Sequence, residues 1–418
     1  MMAGVVIVGA GHGGSQLAVS LRQEGYENPI VLIGDEPEYP YHRPPLSKAF
    51  LKGTEDSLQP LRGEAIYVNN AIDYRPGRRV ERIDVPARSC IVDGEAIAFD
   101  KLVLATGAIP RRPAVKGCDL DGVFALRTAT DARRIKAAMA TARNVVIVGG
   151  GFIGLEIAAT MAAAGKGVTV LEIGERLLAR AVSPLISTHV LARLAGAGVD
   201  VRFGTAAAEF LGEGTVNAVR TQSGDEISAD MVVVGIGADP VVALAVEAGI
   251  VVEGSIVVDA QMRTSAEGIF AIGDCVCFPH WQLDRPIRLE SVQNATDQAR
   301  HLAGVIAGKH QEPYTAVPWF WSDIADMKLQ MVGLSMDADD HVVAGDPGEG
   351  AFAVYHFRQG RLIAIDSVNR PADHMLGRKM IAAGYTPAPQ EISDGTVGAS
   401  FKRWSAAASA APAGQRVA

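Results

Sequence analysis

At 418 residues, 48% of them hydrophobic and 21% charged, the chain exceeds one ordinary core, and two or three domains are expected. Its formal net charge of −8 gives no reason to expect nucleic-acid binding. The longest apolar runs, such as Val5–Val8 and Met231–Val234, are strand-length, so no membrane span is expected. With no signal-like start ahead of the first strand, a cytoplasmic protein is the expectation.

The chain opens with GVVIVGAGHGG (4–14), four apolar, mostly β-branched residues running into G-x-G-x-x-G. A helical pattern follows at 15–25, then a second apolar strand, IVLIGD, ending in Asp35. The pattern recurs as NVVIVGGGFIG (144–154), a helical LEIAATMAAAG, and VTVLE ending in Glu172. A single such loop is weak evidence; two in strand–loop–helix–strand–acid context predict two Rossmann-type βαβ units, each built for a dinucleotide. Gly9 and Gly149 permit the tight turn, Gly11 and Gly151 clear the approach of a pyrophosphate, and Gly14 and Gly154 let helix and strand pack closely. The phosphates would face free N–H groups at the helix N-terminus. Asp35 and Glu172 would accept from the hydroxyls of an adenosine ribose. A carboxylate at 172 would also repel a 2′-phosphate, favouring NADH over NADPH. His12, inside the first loop, is read as a loop residue with its side chain outward.

Three further strand-then-glycine segments are KLVLATGAIP (101–110), MVVVGIGADP (231–240) and TSAEGIFAIGDC (264–275). Gly273–Asp274 would place a carboxylate on the ribityl hydroxyls of a flavin, with Ala105, Thr106 and Gly107 bringing another strand end to the same cofactor. The expected organisation is a first nucleotide domain (1–109 and 241–316) interrupted by a second (110–240), then a C-terminal domain (317–418). In that last part LQMVG, AFAVYHF and RLIAIDSV read as an antiparallel meander, followed by a last helix near His374–Ala383. The Ala/Ser/Pro-rich tail after Trp404 is expected to be disordered. The expected fold class is α/β, two Rossmann-type nucleotide-binding domains in an arrangement that resembles glutathione reductase, plus an α+β C-terminal domain with an antiparallel sheet.

Cys90, Cys118, Cys275 and Cys277 fit neither a disulfide framework nor a zinc site, so no metal is expected and the thiols are read as reduced and structural. In order and spacing, GAGHGG, ATGAIP, GGGFIGLE and FAIGDC resemble the two-dinucleotide flavoprotein disulfide reductase superfamily. The resemblance implies FAD on the first loop and NADH on the second. Disulfide reductases need a dithiol near the flavin, and single-cysteine peroxidases need one thiol after the first βαβ unit. This chain has no cysteine before Cys90; where that thiol would stand it has YPYHRPPLSKAFL (39–51).

PYHRPPLSK, RLESVQNATDQAR (288–300) and PWFWSD (318–323) resemble the oxygenase-coupled ferredoxin reductases, extending the likeness over essentially the whole chain. That resemblance implies NADH handing hydride to FAD, then single electrons passing to a transiently docked [2Fe–2S] ferredoxin that serves a haem monooxygenase or a ring-hydroxylating oxygenase. Carried over residue by residue, it places Gly13, Asp35, Lys48, Val80, Arg127, Asp274 and Val292 on FAD. The Lys48 ammonium would stabilise the reduced ring, and Arg127 would neutralise pyrophosphate. Glu156 and Glu290 would hold the nicotinamide end; Arg43, Ile153 and Gly237 complete the cofactor-binding set. Trp321 is implied as the flavin neighbour, with Trp319 in core packing, the two read as facing opposite ways from their strand. Arg285, Arg288, Arg300, His301 and Lys328 are candidates for a basic docking patch. Other readings of the same motifs are a rubredoxin, quinone or monodehydroascorbate-type reductase, and an NADH-sensing flavoprotein of the apoptosis-inducing-factor type.

Overall fold

The computed structural model describes residues 4–55, 57–283 and 285–410. Two compact units emerge: one of 1–113, 125–137 and 236–316, the other of 114–124, 138–235 and 317–418.

The first unit is built on a parallel sheet in which Ile72–Arg75, Ile30–Ile33, Gly4–Val8 and Glu95–Leu104 lie side by side, with Ile269–Ala271 on the far side of the last. These strands are nearly continuous runs of Val, Ile and Leu because a parallel sheet covered by helices is buried on both faces; Val5, Ile7, Leu32, Leu102 and Val103 have no measurable exposure. The lower half of the long strand 95–104 instead pairs antiparallel with Ser89–Val92, which pairs with Val80–Asp84. The first glycine-loop helix, His12–Gln23, packs along the 15-residue helix Val292–Ile306. Gly13 lies in this crossing: a β-carbon there would come 3.5 Å from the Ala295 carbonyl oxygen.

The second unit repeats the theme with a five-stranded parallel sheet in the order Val199–Arg202, Gly167–Leu171, Asn144–Val148, Met231–Val234, Val123–Phe124. Its glycine-loop helix is Phe152–Ala163. The same unit carries the C-terminal segment as a five-stranded antiparallel sheet, in the order Trp319–Ile324, Met327–Gly333, Arg361–Val368, Ala351–Arg358, Asp340–Asp346. The antiparallel pairing is as expected, but the sheet is not a simple meander. Residues 334–339 carry the chain to the far edge, and the last strand returns to the middle.

Side chains alternate across this sheet. Ala353, Tyr355, Phe357 and Ile365 form one core with Met380 and Ile381 of the helix Pro371–Ala383. On the strand 319–324, Phe320, Ser322 and Ile324 share the opposite face. Trp319 and Trp321 are two positions apart and so share a face, contrary to the expectation that they point opposite ways; their ring centroids are 5.5 Å apart. The chain also stays helical past Trp404, through Val397–Ala410, where disorder was expected. Residues 411–418 lie outside the described residues.

Candidate functional site

In the first unit the loop after Gly4–Val8 turns at Gly9, whose φ of +107° is open to glycine but not to a side-chain-bearing residue. A β-carbon there would lie 2.2 Å from the Ala105 carbonyl oxygen, so the ATG segment abuts the loop directly. One at Gly14 would lie 1.9 Å from the Gly9 oxygen. Gly11, which caps the helix, differs: a β-carbon there would meet nothing within 4 Å, and no side chain caps the helix. Open volume in front of uncapped N–H groups at the positive end of a 12-residue helix suits a pyrophosphate.

Around this loop several expected residues converge. Ile269–Ala271 leads into the Gly273–Asp274 turn, and Asp274 Oδ2 lies 2.9 Å from Arg127 Nη2. That guanidinium nitrogen also lies 3.3 Å from where a β-carbon of Gly107 would be, so the ATG turn, Arg127 and Asp274 form one cluster. Arg43 donates to the Arg127 carbonyl oxygen at 2.6 Å and pairs with Glu36 at 2.6 Å. Glu36 in turn accepts from the Tyr41 hydroxyl at 2.5 Å, and that hydroxyl accepts from the Ala129 N–H at 2.8 Å. Thr106 donates from its hydroxyl to the Val241 carbonyl, tying the ATG turn to the returning chain. Asp35 stands exposed at the end of the second strand. Lys48 follows the short helical turn Pro44–Ser47 and is half-buried; Val80 is buried at the start of its strand. Val292 opens its helix behind Ser291, which accepts from Asn294 N–H at 3.0 Å. Gly237 (φ +109°) and Glu290, paired with Arg288 at 2.6 Å, are also carried by this unit.

His12 does not point outward. It is the first residue of the helix, 8% exposed, with its ring edge-on to His42 at 5.7 Å. Burial, with the nearby charges of His42, Arg43 and Arg127 adding to it, brings its pKa down to about 3. Glu36, Tyr41 and His42 were missed from the sequence. The visible signal was polar and aromatic residues crowded around prolines in EPEYPYHRPP (36–45).

In the second unit Gly149 adopts φ +108°, almost the value at Gly9, and a β-carbon at Gly154 would lie 2.5 Å from the Gly149 oxygen. Gly151 caps its helix without side-chain help, and a β-carbon there would be no nearer than 3.7 Å to the Gly235 oxygen. The Glu172 carboxylate is held at both oxygens: Gly150 N–H donates to one at 2.7 Å, Gly174 N–H to the other at 2.6 Å. A carboxylate retains further lone pairs for a ribose diol while so fixed. Ile153 is 44% exposed at the helix start. Glu156, one turn on, is buried and accepts from the Ser322 hydroxyl at 2.6 Å. Trp321 is half-buried, and Trp319 beside it is covered by the Arg378 guanidinium at 4.6 Å.

A family model described as "Pyridine nucleotide-disulphide oxidoreductase" matches residues 3–299, and one described as "Reductase C-terminal" matches 319–399. The chain belongs to the pyridine nucleotide-disulphide oxidoreductase family. It is 44% identical to rhodocoxin reductase of Rhodococcus erythropolis over 394 residues, 93% of this chain and 92% of that protein. Among solved structures it is similar to the ferredoxin reductase for the CYP199A2 system of Rhodopseudomonas palustris, with TM-score 0.91, 43% identity and coverage of 94% and 97%. It is similar, too, to the reductase in a covalent putidaredoxin reductase–putidaredoxin complex, with TM-score 0.92, 38% identity and coverage of 98% and 99%.

For a member of the pyridine nucleotide-disulphide oxidoreductase family, the thiols matter. Cys275 is buried, its Sγ 3.3 Å from the Ile272 carbonyl oxygen, and burial raises its pKa. Burial raises Cys277 as well, and Cys90 to about 11. Such thiols carry little thiolate at neutral pH and are poor nucleophiles.

The expected basic docking patch is only partly available. Arg288 is turned inward, donating to the Ala238 carbonyl at 3.0 Å besides its pair with Glu290. His301 packs its ring against Tyr314 at 5.6 Å, and burial lowers its pKa. Arg285 and Lys328 are exposed; Arg300 is exposed too but paired with Asp297 at 2.8 Å.

Proposed function

We propose that this chain is an NADH-dependent FAD reductase that passes electrons one at a time to a [2Fe–2S] ferredoxin serving a haem monooxygenase or ring-hydroxylating oxygenase. The observation that carries this reading is a doubled dinucleotide loop with Cys275 buried and Cys277 half-buried, burial raising the pKa of both thiols. Electrons delivered to the first site then leave without a thiol relay. The likeness to ferredoxin reductases over more than nine-tenths of the chain supports the carrier.

In this reading Gly9, Gly11, Gly13 and Gly14 receive the FAD pyrophosphate at the first helix, with Arg127 and Arg43 supplying positive charge. Asp274 takes the ribityl hydroxyls, Asp35 the adenosine ribose, and Ala105, Thr106, Gly107, Val80 and Val292 shape the slot. Lys48 stands by the flavin edge. Gly149, Gly151, Ile153, Gly154 and Gly237 receive the NADH backbone, Glu172 its ribose, and Glu156 and Glu290 the nicotinamide end. FAD, when bound, supplies the conversion of a hydride into single electrons; the protein holds the two nucleotides and excludes water. Among the described residues no helix is long and apolar enough to cross a membrane; a cytoplasmic place belongs to this reading.

The test is an anaerobic NADH oxidation assay with a [2Fe–2S] ferredoxin, a rubredoxin, a quinone and monodehydroascorbate as alternative acceptors. The ferredoxin is expected to turn over at least tenfold faster than the others. A faster rubredoxin or quinone would transfer the proposal to that carrier, and equally slow reduction of all would favour the NADH-sensing reading.

A further inference from the structure

Ser322 and Glu156 form a buried pair that the roles above leave unexplained. Glu156 lies in the helix Phe152–Ala163 and is 3% exposed; Ser322 lies in the strand Trp319–Ile324 and is fully buried. The Ser322 hydroxyl donates to Glu156 Oε1 at 2.6 Å, a length typical of a hydroxyl on a charged acceptor. A second contact fixes the register: the Phe152 and Phe320 rings are 4.8 Å apart. Phe152 and Glu156 are four residues apart on a helix, roughly 6 Å along its axis. Phe320 and Ser322 are two apart on a strand, roughly 6.8 Å along it, on one face. The two spacings match, so helix and strand meet at two successive points, one apolar and one polar.

A buried carboxylate is costly unless hydrogen-bonded, and its rotamer follows its donors. An apolar residue at 322 would take this donor away from the buried Glu156 carboxylate; the hydroxyl is what the strand contributes to the contact. We infer that Ser322 is a positioning residue for the hydride step: through its hydroxyl, the C-terminal sheet holds the Glu156 carboxylate in the orientation that receives the nicotinamide. The inference rests on the reading that Glu156 serves the nicotinamide. It makes the C-terminal sheet part of the NADH-handling machinery.

The test uses the FAD-loaded full chain and anaerobic stopped-flow reduction of the flavin over a range of NADH concentrations. Variants are Ser322→Ala, Ser322→Thr, Glu156→Gln and the double variant Ser322→Ala/Glu156→Gln. Loss of one hydrogen bond to a charged group predicts a slowing on the order of tenfold in the saturating rate for Ser322→Ala. Reduction by dithionite should stay near the parent's, the melting temperature should fall only by the few degrees that one lost hydrogen bond costs, and Ser322→Thr, which keeps the hydroxyl, should recover most of the rate. Adding Ser322→Ala to Glu156→Gln should cost no further factor. If Glu156→Gln is slow and Ser322→Ala is within twofold of the parent, the positioning role is overturned while the reading of Glu156 stands. If Glu156→Gln reduces at the parent rate, that reading fails and the inference with it. A slow Ser322→Ala that Ser322→Thr does not rescue, or one whose reduction by dithionite is equally slowed, identifies packing alone and also overturns the role.

Discussion

Replacing Glu172 by Gln should shift the choice between NADH and NADPH, and the structure sets the size of the shift. Both carboxylate oxygens accept backbone N–H groups at 2.6 and 2.7 Å, so the charge is held in place at the end of the strand Gly167–Leu171. A ribose 2′-phosphate would come within about 4 Å of it, where two unit charges repel by roughly 4 kcal/mol at an effective dielectric near 20. Glu172 is half-buried, so solvent and salt leave roughly half of that, about 2 kcal/mol or ~30-fold. The glutamine amide nitrogen cannot accept the second backbone N–H, a loss of about 1–2 kcal/mol that falls on NADH and NADPH alike and leaves their ratio to the charge effect. The expected outcome is a roughly 30-fold change in the ratio of kcat/KM for NADH over NADPH, NADH falling while NADPH holds or gains slightly. The assay is steady-state reduction of ferricyanide by each nucleotide at low and high salt, with flavin content checked by its visible absorbance. The charge part of the effect should shrink as salt rises. A ratio within twofold of the parent at low salt would refute the argument that this carboxylate excludes the 2′-phosphate.

Gly154→Ala puts a β-carbon 2.5 Å from the Gly149 oxygen, so the variant should keep its flavin spectrum but lose NADH-driven reduction by more than tenfold; loss of flavin instead would mean the two loops are not separate sites. Asp274→Asn breaks a 2.9 Å ion pair with Arg127 and removes a ribityl acceptor, and should weaken FAD binding by about tenfold, read by flavin fluorescence on dilution; unchanged affinity would remove Asp274 from the site. The folded pKa of His12, about 3, lies below its ordinary 6.5, so the unfolded chain takes up a proton that the folded one refuses. Its contribution is therefore lost as pH falls from 6.5 toward 3, at up to about 1.4 kcal/mol per pH unit. Chemical denaturation between pH 7 and 5 should show a shallower slope in His12→Gln; a slope as steep as the parent's would contradict the buried neutral assignment.

The parts of the fold legible in the sequence were those where backbone geometry restricts residue type. Gly9, Gly14, Gly149 and Gly154 are glycines because a β-carbon would strike a carbonyl or demand a forbidden φ, and such positions announce themselves. The strand-end acid at 172 was legible for the same reason: it answers N–H groups that the loop leaves open. Side-chain partners across long sequence separations were not. Nothing local in Arg288 tells that it donates to the Ala238 carbonyl, 50 positions away, or in His301 that its ring lies on Tyr314. Trp319 and Trp321 were misread through the strand period itself, since residues two apart share a face. Beyond Trp404 the Ala/Ser/Pro-rich composition suggests disorder, yet alanine is the strongest helix former, and the helix continues to Ala410. The Ser322–Glu156 bond joins residues 166 positions apart and carries no local signature at all.

In the proposed cycle hydride enters at one nucleotide loop and electrons leave the other site singly, without a thiol. An anaerobic titration measures this directly: NADH added stepwise to catalytic amounts of the FAD-loaded chain and an excess of oxidised [2Fe–2S] ferredoxin, before and after thiol alkylation. The account predicts two ferredoxins reduced per NADH, with the same rate and stoichiometry after alkylation. Loss of turnover on alkylation, or failure to reduce ferredoxin while a disulfide substrate is consumed, would contradict it.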